Sequence, residues 1–163
     1  MTNDSLYFHF RGKRWVKKQW WYVNQQNLTT NGQFIMNGQI SLLGQYPFLL
    51  TQLTRTTIVT ASGADVTATQ RFLFKLKNSR NDEVYSSGGN NSTQDLVMDN
   101  LIFGNGMFPI TLNPAIPYEA NGSLQFEIQD IGNAAANPYS IYFGFRGWLL
   151  MPEGDRVSLG WGQ

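Results

Sequence analysis

The sequence predicts an all-β protein, an antiparallel and jelly-roll-like β-sandwich with an extended N-terminal arm. Many short segments alternate apolar with polar residues, which is the period of a strand with one buried face. Turns rich in Gly, Asn and Pro separate these segments, and no repeat of fixed period is found. About seven to nine strands with at most one short helix are expected, which favours two packed sheets.

The clearest alternation lies towards the C-terminal end of the chain. Two strands are predicted there, at Ser123–Gln129 and Tyr139–Arg146, and we expect them to form an antiparallel pair joined by the loop from Asp130 to Pro138. The apolar faces of these strands and of the amphipathic segment Arg71–Lys77 supply the predicted core. Its members are Phe72, Phe74, Leu124, Phe126, Ile128, Ile141, Phe143 and Phe145.

The remaining segments are assigned by apolar content and turn signals. Asn31-Gly32 is a strong turn signal, so residues 24–37 are predicted as connecting loop and hairpin. Pro109 and Pro114 restrict Phe108–Ile116 to an edge strand or crossover. Other predicted elements are strands at Gln39–Leu43, Phe48–Leu53 and Arg55–Ala61, a polar loop at 78–93 with a short strand at Val84-Tyr85, and a short helical turn between 95 and 107.

The N-terminal segment concentrates basic and aromatic residues. We therefore divide the chain into a basic aromatic arm, residues 1–23, and a single sandwich domain, residues 24–163. Bases between stacking aromatics suit single-stranded nucleic acid, but five bases are few for that role, so docking on protein is the favoured hypothesis. The predicted partner-binding residues are Tyr7, Phe8, Phe10, Arg11, Lys13, Arg14, Trp15, Lys17, Lys18, Trp20, Trp21 and Tyr22.

Composition narrows the class of protein. The chain has 163 residues, enough for one domain with its own core. It contains no Cys, which excludes a disulfide framework and a thiolate metal site. Charged residues are only 14% and the formal net charge is +1, so electrostatic function is assigned to the N-terminal segment. Neither a signal peptide nor an apolar run of membrane-spanning length is found, and no membrane partner is expected.

The sequence offers little for catalysis. His9 is the single histidine, and no Gly-x-Ser-x-Gly segment accompanies it. Asp95 and Asp99 would share a face of a helix, where a solvated face or a capping role is the favoured interpretation. Gly104 to Gly106 is interpreted as turn chemistry, since no Lys-Ser/Thr pair follows it. We predict no enzymatic activity, no catalytic residue, no cofactor and no metal.

The abundance of aromatic and amide side chains leaves a second class open. Trp and Tyr can stack on sugar rings while Asn and Gln contact hydroxyl groups, as in a carbohydrate-binding sandwich module. The favoured alternative is that these residues form core and subunit interfaces, where Trp and Tyr are also enriched.

The C-terminal half resembles small β-sandwich proteins of tailed-bacteriophage virions. The resemblance spans residues 53 to 151 and rests on GNGMFPITLNPAIPYEANGSLQFEI followed by YSIYFGFRGWLL. The upstream segments Thr56–Thr60 and Arg71–Lys77 look like the first half of the same sandwich. The positions that carry the resemblance are Gly104, Gly106, Pro109, Pro117, Tyr118, Ala120, Asn121, Gly122, Ser123, Leu124, Phe145, Gly147 and Trp148.

This resemblance implies a non-enzymatic structural protein of a phage particle. The favoured role is a capsid auxiliary (cement or decoration) protein that stabilises the shell through contacts to neighbouring subunits; a head-tail connector, collar or tail component is the alternative. The implied partners are the major capsid protein or other virion proteins and further copies of the same chain, with nucleic acid at the arm as the less favoured partner. The implied location is the virion, after synthesis in the host cytoplasm.

Overall fold

The computed structural model describes residues 7–10, 12–29, 35–67, 70–78, 80, 83–85, 96–104, 108–131, 134 and 138–153. Within these residues the chain is nearly all strand. The elements are β1 (Tyr7–Phe10), β2 (Lys13–Leu28), β3 (Ile35–Ser41), β4 (Phe48–Val59), β5 (Phe72–Lys77), β6 (Glu83–Tyr85), β7 (Val97–Met98), α1 (Asp99–Ile102), β8 (Ile110–Tyr118), β9 (Ser123–Asp130) and β10 (Tyr139–Pro152).

The strands pair from the outside of the chain inwards. β2 pairs with β10, β3 with β9, β4 with β8 and β5 with β6, all antiparallel. This nested ribbon is then rolled up, because β10 also pairs with β4 and β9 also pairs with β5. The result is the jelly-roll topology, which confirms the predicted fold class.

Two sheets result from this pairing. The first sheet has the order β1-β2-β10-β4-β8, and β1 is an addition to the eight strands of the roll. The second sheet has the order β3-β9-β5-β6, with β7 also paired to β5. β10 is the middle strand of the first sheet, and its inward side chains are buried along its whole length.

A cluster of phenylalanines joins the sheets at the centre of the core. Phe126 of the second sheet and Phe143 of the first lie 5.3 Å apart between ring centroids, and Phe72 packs edge-on against Phe143 at 5.7 Å. Such ring pairs add to the large burial of each side chain. The eight residues predicted for the core are each at most 1% exposed, so that prediction is confirmed.

The predicted pairing of the two C-terminal strands is wrong. β9 belongs to the second sheet and β10 to the first, so the two strands face each other across the core. The connection between Asp130 and Tyr139 is longer than the two to five residues, roughly, of a typical hairpin loop, and it carries the chain from one sheet to the other. The alternation identified both strands and both buried faces, but it contains no information about the neighbouring strand.

The predicted separation of an arm at residues 1–23 is also wrong for the part that the structure describes. β2 runs without interruption through residue 23, and it pairs with β10 from Trp15 to Leu28. β1 pairs in turn with the first residues of β2. Residues 7–10 and 13–23 are therefore part of the first sheet, because β2 is paired with its middle strand from Trp15 onwards and β1 is paired with β2.

Several smaller expectations can be compared directly. The predicted edge strand near Pro114 is β8, the short strand near Val84 is β6, and the short helical turn is α1. The strands predicted at Phe48–Leu53 and Arg55–Ala61 form the single strand β4. The loop and hairpin predicted at residues 24–37 are wrong where the structure describes them, since residues 24–28 belong to β2 of the first sheet and residues 35–37 to β3 of the second. The turn at Asn31-Gly32 and most of the loop at 78–93 lie outside the described residues. No helix among the described residues has the length and apolar character needed to cross a membrane.

Candidate functional site

Large apolar side chains lie among polar ones on the outer face of the first sheet. Successive residues of a strand point to opposite sides, so β2 and β10 each send every second side chain outwards. We call nine of these outward residues the aromatic face; the other outward residues of the paired segments are Gln25, Asn27, Ser140, Gly144 and Pro152. Its members are Trp15, Lys17, Gln19, Trp21, Val23, Tyr142, Arg146, Trp148 and Leu150.

Three members of the aromatic face are strongly exposed and adjoin one another. Trp21 is 56% exposed, Val23 is 66% exposed and Tyr142 is 36% exposed. The register of β2 and β10 places Trp21 opposite Arg146 and Val23 opposite Gly144, next to Tyr142 along the strand. These three side chains therefore form a small apolar patch on the surface of the domain.

Arg146 is held in a defined position at the centre of the aromatic face. Its guanidinium carbon lies 5.0 Å from the centroid of the Trp21 ring, a cation–π contact. The Gln19 amide, with its oxygen turned towards Arg146, accepts hydrogen bonds from the guanidinium. The planar cation is therefore ordered before any partner arrives, which lowers the entropy cost of using it in an interface.

The charges of the first sheet have one sign only. Its five strands contain no Asp or Glu. In the second sheet, β5 contains two Lys and the neighbouring strand β9 contains Glu and Asp. Acidic groups of a partner would complement the outward basic residues of the first sheet, Lys13, Lys17 and Arg146. Arg55 and Arg14 are already paired with acidic residues of the chain. The basic residues in the strands of the first sheet are Lys13, Arg14, Lys17, Lys18, Arg55 and Arg146.

The structure divides the predicted partner-binding residues between the two sides of the sheet. Lys13, Trp15, Lys17 and Trp21 are on the outward side. Lys18 is on the inward side and only 8% exposed, with its ammonium 4.9 Å from the centroid of the Trp20 ring. The predicted set thus mixes residues that can meet a partner with residues that pack inside the domain.

Trp20 and Tyr22 are the clearest inward members of the predicted set. Both pack against the core, and the Tyr22 ring meets Phe48 at a centroid distance of 5.0 Å. The Tyr22 hydroxyl accepts a hydrogen bond from the backbone N–H of Leu43 at 2.9 Å. Burial raises the pKa of Tyr22, and this hydrogen bond offsets part of the increase. These two aromatics stabilise the fold.

The predicted residues at the N-terminal end have mixed outcomes. Arg14 lies over the Tyr7 ring at 4.1 Å and forms an ion pair with Glu153 at 3.2 Å. Phe8 and Phe10 belong to β1 by their backbone, but their side chains, like all of Arg11, lie outside the described residues.

Sequence reasoning missed the contribution of β10 to the aromatic face. The predicted strand Tyr139–Arg146 contains Tyr142 and Arg146 but ends before Trp148 and Leu150, and none of the four was predicted as a neighbour of β2. The signal was present: the outward positions of this strand carry Trp and Leu where an exposed strand would carry polar residues. Joining them to β2 required the pairing of two segments more than a hundred residues apart.

A buried polar cluster inside the sandwich also escaped prediction. Arg55 and Asp99 form an ion pair and are 4% and 0% exposed. Arg55 Nη1 also donates to Thr57 Oγ1 at 3.1 Å and to the Thr67 carbonyl at 3.0 Å. Burial lowers the pKa of Arg55, and Asp99 offsets part of this effect. The solvated or capping role expected for Asp99 is therefore wrong, because its carboxylate is enclosed and compensates Arg55.

Tyr139 and Asp130 form a second buried polar pair. The Tyr139 hydroxyl donates to Asp130 Oδ1 at 2.5 Å, and Asp130 Oδ2 accepts from the Ala134 N–H at 3.1 Å. Burial, with a smaller contribution from Asp130, raises the pKa of Tyr139. Since Tyr139 is on β10 and Asp130 on β9, this contact links the two sheets. Both residues are at most 1% exposed, so the pair has a structural role.

Other possible sites are weaker. A depression of about 190 Å³ on the outer side of the second sheet is lined by Gln39, Lys77, Gln125 and Glu127 among others. Its charges are already paired, with Lys77 Nζ 2.5 Å from Glu127 Oε1. Within the described residues no three His, Cys, Asp or Glu side chains come together as metal ligands would.

Comparison with known proteins adds no family assignment. No protein-family model matches the chain, and no curated protein matches it. The aromatic face therefore has to be interpreted from its own chemistry.

Proposed function

We propose that this protein is a non-enzymatic structural component of a bacteriophage virion, a capsid auxiliary protein that docks on shell subunits through the aromatic face. The single observation that carries the proposal is the combination of exposed Trp21, Val23 and Tyr142 with a sheet free of acidic residues. The jelly-roll topology, common among viral capsid proteins, and the resemblance of residues 53 to 151 support the same role.

The aromatic face has the composition of an interface rather than of a solvated surface. Trp, Tyr and Arg are the residues that contribute most to binding energy when they are buried centrally in an interface. Trp21 and Arg146 already form a joined pair, and Trp148 lies beside them on β10. The aromatics would supply apolar burial, while Lys13, Lys17 and Arg146 would meet acidic groups at the rim.

Fractionation of particles tests the proposal. Particles would be purified on density gradients from cells that produce this protein together with the rest of its virus. We expect the protein to migrate with the particles, and we expect the double variant Trp21→Ala/Trp148→Ala to stay in the soluble fractions. Gln125→Ala, an outward substitution on the second sheet, is the matched control and should migrate like the unmodified protein. Complete particles that lack the unmodified protein would refute the proposal.

Immunolabelling of the same particles separates the positions in the virion. Label spread over the head supports the capsid auxiliary role. Label confined to the neck or tail would replace it by the connector, collar or tail alternative while keeping the virion assignment.

Salt dependence of binding separates protein from nucleic acid as the partner. Binding of single-stranded nucleic acid through Lys13, Lys17 and Arg146 would give a slope of about −2 when the logarithm of the binding constant is plotted against the logarithm of the salt concentration.

Carbohydrate binding is the second candidate, and one observation favours it. The aromatic face places Trp21, Trp148 and Tyr142 next to the amides of Gln19 and Gln25, which suits sugar rings and hydroxyl groups. Retention on immobilised polysaccharide, abolished by Trp21→Ala and unchanged by Gln125→Ala, together with no association with particles, would select this function.

A further inference from the structure

The two lateral sides of the sandwich differ in how their edge strands are protected. Edge strands expose unpaired backbone groups, and proteins usually guard them with Pro, charge or short length. On one side the edges are β8, which contains Pro114 and Pro117, and β6, which has three residues. Pairing with a further strand is therefore disfavoured on that side.

The opposite side of the sandwich lacks these features in the part of the chain that the structure describes. Its edges are β3 in the second sheet and, in the first sheet, the part of β2 beyond the residues that pair with β1. β3 has seven residues, no charge, no Pro and an unbroken register with β9. The segment Gln19–Leu28 of β2 is likewise free of charge and Pro. Nothing in either strand opposes the addition of another strand.

We propose that β3 pairs antiparallel with β3 of a second copy, about a two-fold axis at Gly38. Gly38 is buried by the Phe126 ring, which would lie 2.1 Å from an added Cβ, so the centre of the strand has no side chain. In this register Asn37 lies opposite Gln39 of the other copy on the outer side. Met36 lies opposite Ile40 on the inner side, and both are only half-buried in one copy.

The chemistry of β3 fits a second copy better than it fits a different partner. An isologous contact requires a surface that complements itself, and β3 does so because amide meets amide and aliphatic meets aliphatic around Gly38. On the same side of the sandwich, β2 carries a second self-complementary run of amides, residues 24–27, which read Asn-Gln-Gln-Asn. No like charges would be brought together, and the formal net charge of one chain is only +1.

Such a dimer would leave the aromatic face available. The contact joins the second sheets of the two copies edge to edge, whereas the aromatic face is the outer side of the first sheet. Two aromatic faces would then lie in one assembly, and binding of the first to a repetitive surface would raise the effective concentration of the second. The dimer itself does not depend on the proposed function.

Sedimentation of the purified full chain tests the contact. We expect a dimer whose dissociation constant rises at least tenfold in Gln39→Lys, because two added charges would lie diagonally across the two-fold axis. Thr111→Lys adds the same charge to the exposed outer side of β8 and should leave the dimer unchanged. A monomeric unmodified protein at about 100 μM, or a dimer that survives Gln39→Lys, would overturn the proposal.

Cysteine cross-linking tests the register, since the natural chain contains no Cys. A mixture of Asn37→Cys and Gln39→Cys chains should form disulfides faster than either variant alone, because directly opposed strand residues have Cα atoms about 4.5–5.5 Å apart. Equal rates in the mixture and in the two separate variants would overturn the two-fold axis at Gly38.

Discussion

The outer faces of the two sheets arise from the same alternation but carry different residues. On the second sheet, Lys75 and Lys77 both contact Glu127, at 3.8 and 2.5 Å, so opposite charges are paired within the face. On the first sheet, Arg146 meets the Trp21 ring and the Gln19 amide, and no strand supplies a carboxylate. These charges of the second face are thus paired with one another within the chain. Arg146 of the first face has only aromatic and amide neighbours among the described residues.

The same contrast separates the two arginines in the middle of the first sheet. Arg55 points inwards and has a buried acidic partner, while Arg146 points outwards and has aromatic and amide neighbours. The inward arginine therefore contributes to the fold, whereas the outward one has no carboxylate partner among the described residues.

Arg55→Ala should lower the free energy of unfolding by about 3–5 kcal/mol, because it leaves Asp99 buried without its cation. Arg146→Ala should lower it by at most about 1 kcal/mol, since its charge is on the outer surface. Chemical denaturation of both variants measures the difference. The double variant Arg55→Met/Asp99→Asn should lose less stability than Arg55→Ala, because no uncompensated charge remains. If Arg55→Ala and Arg146→Ala lowered the free energy of unfolding equally, the inward and outward arginines would not differ in their contribution to stability.

Alkaline pH should destabilise the first sheet. Burial raises the pKa of Tyr118 and Tyr139 above the usual value near 10, so the native state keeps protons that the unfolded chain releases. The contribution of the two phenols to the free energy of unfolding is therefore fully present below about pH 10. Above that pH it falls by about 1.4 kcal/mol per pH unit for each phenol. Denaturation curves between pH 9 and about 11.5 measure the slope.

Tyr118→Phe provides the matched variant for the alkaline slope. Its hydroxyl has no hydrogen-bond partner among the described residues, so removing it should not destabilise the protein at neutral pH. The slope above pH 10 should decrease by about 1.4 kcal/mol per pH unit. An unchanged slope would show that Tyr118 is accessible to hydroxide in the native state.

Arg146→Lys should weaken association with particles by about fivefold, or about 1 kcal/mol, although it preserves the charge. Lysine loses the planar stacking on Trp21 and the paired donors to Gln19. The fraction of protein that sediments with particles measures the effect, and thermal unfolding should be unchanged. Lys77→Arg on the second sheet is the control. Equal binding by Arg146→Lys and the unmodified protein would mean that charge alone matters at this position.

Lys77→Met should leave particle association unchanged and lower the free energy of unfolding by about 1–3 kcal/mol, because a mostly buried hydrogen bond to Glu127 is lost. Lys75 stays 3.8 Å from Glu127, so the carboxylate keeps a cationic neighbour. Denaturation and particle sedimentation measure the two quantities. A loss of particle association would show that the second face also contacts a partner.

The sequence predicted those features of the fold that depend on local periodicity. Phe72, Phe126 and Phe143 were placed in the core because the side-chain period of a strand is two. The neighbour of each strand was not predictable in this way. β9 and β10 are consecutive yet lie in different sheets, and β2 pairs with a strand more than a hundred residues away.

The same limit applies to the candidate site. The basic aromatic composition of residues 7–22 was recognised, but composition does not distinguish outward Trp21 from inward Trp20. That distinction follows from the phase of β2 relative to the core, which the polar residues Asn24 and Gln26 on its inward side obscure. The Arg55–Asp99 pair could not be inferred, because two charges in a sequence give no sign that they will be enclosed together.

The nested pairing has a consequence for the order in which the protein can fold. β10 lies between β2 and β4, yet it is synthesised after both, so the first sheet has no middle while the other strands leave the ribosome. Its contacts are long-range in sequence, and folding of such topologies is slow because loops must close before the contacts form. During that interval the uncharged segment Gln19–Leu28 has no strand beside it. Synthesis of β10 is therefore the step that pairs this segment on one side and lowers the aggregation risk of the nascent chain.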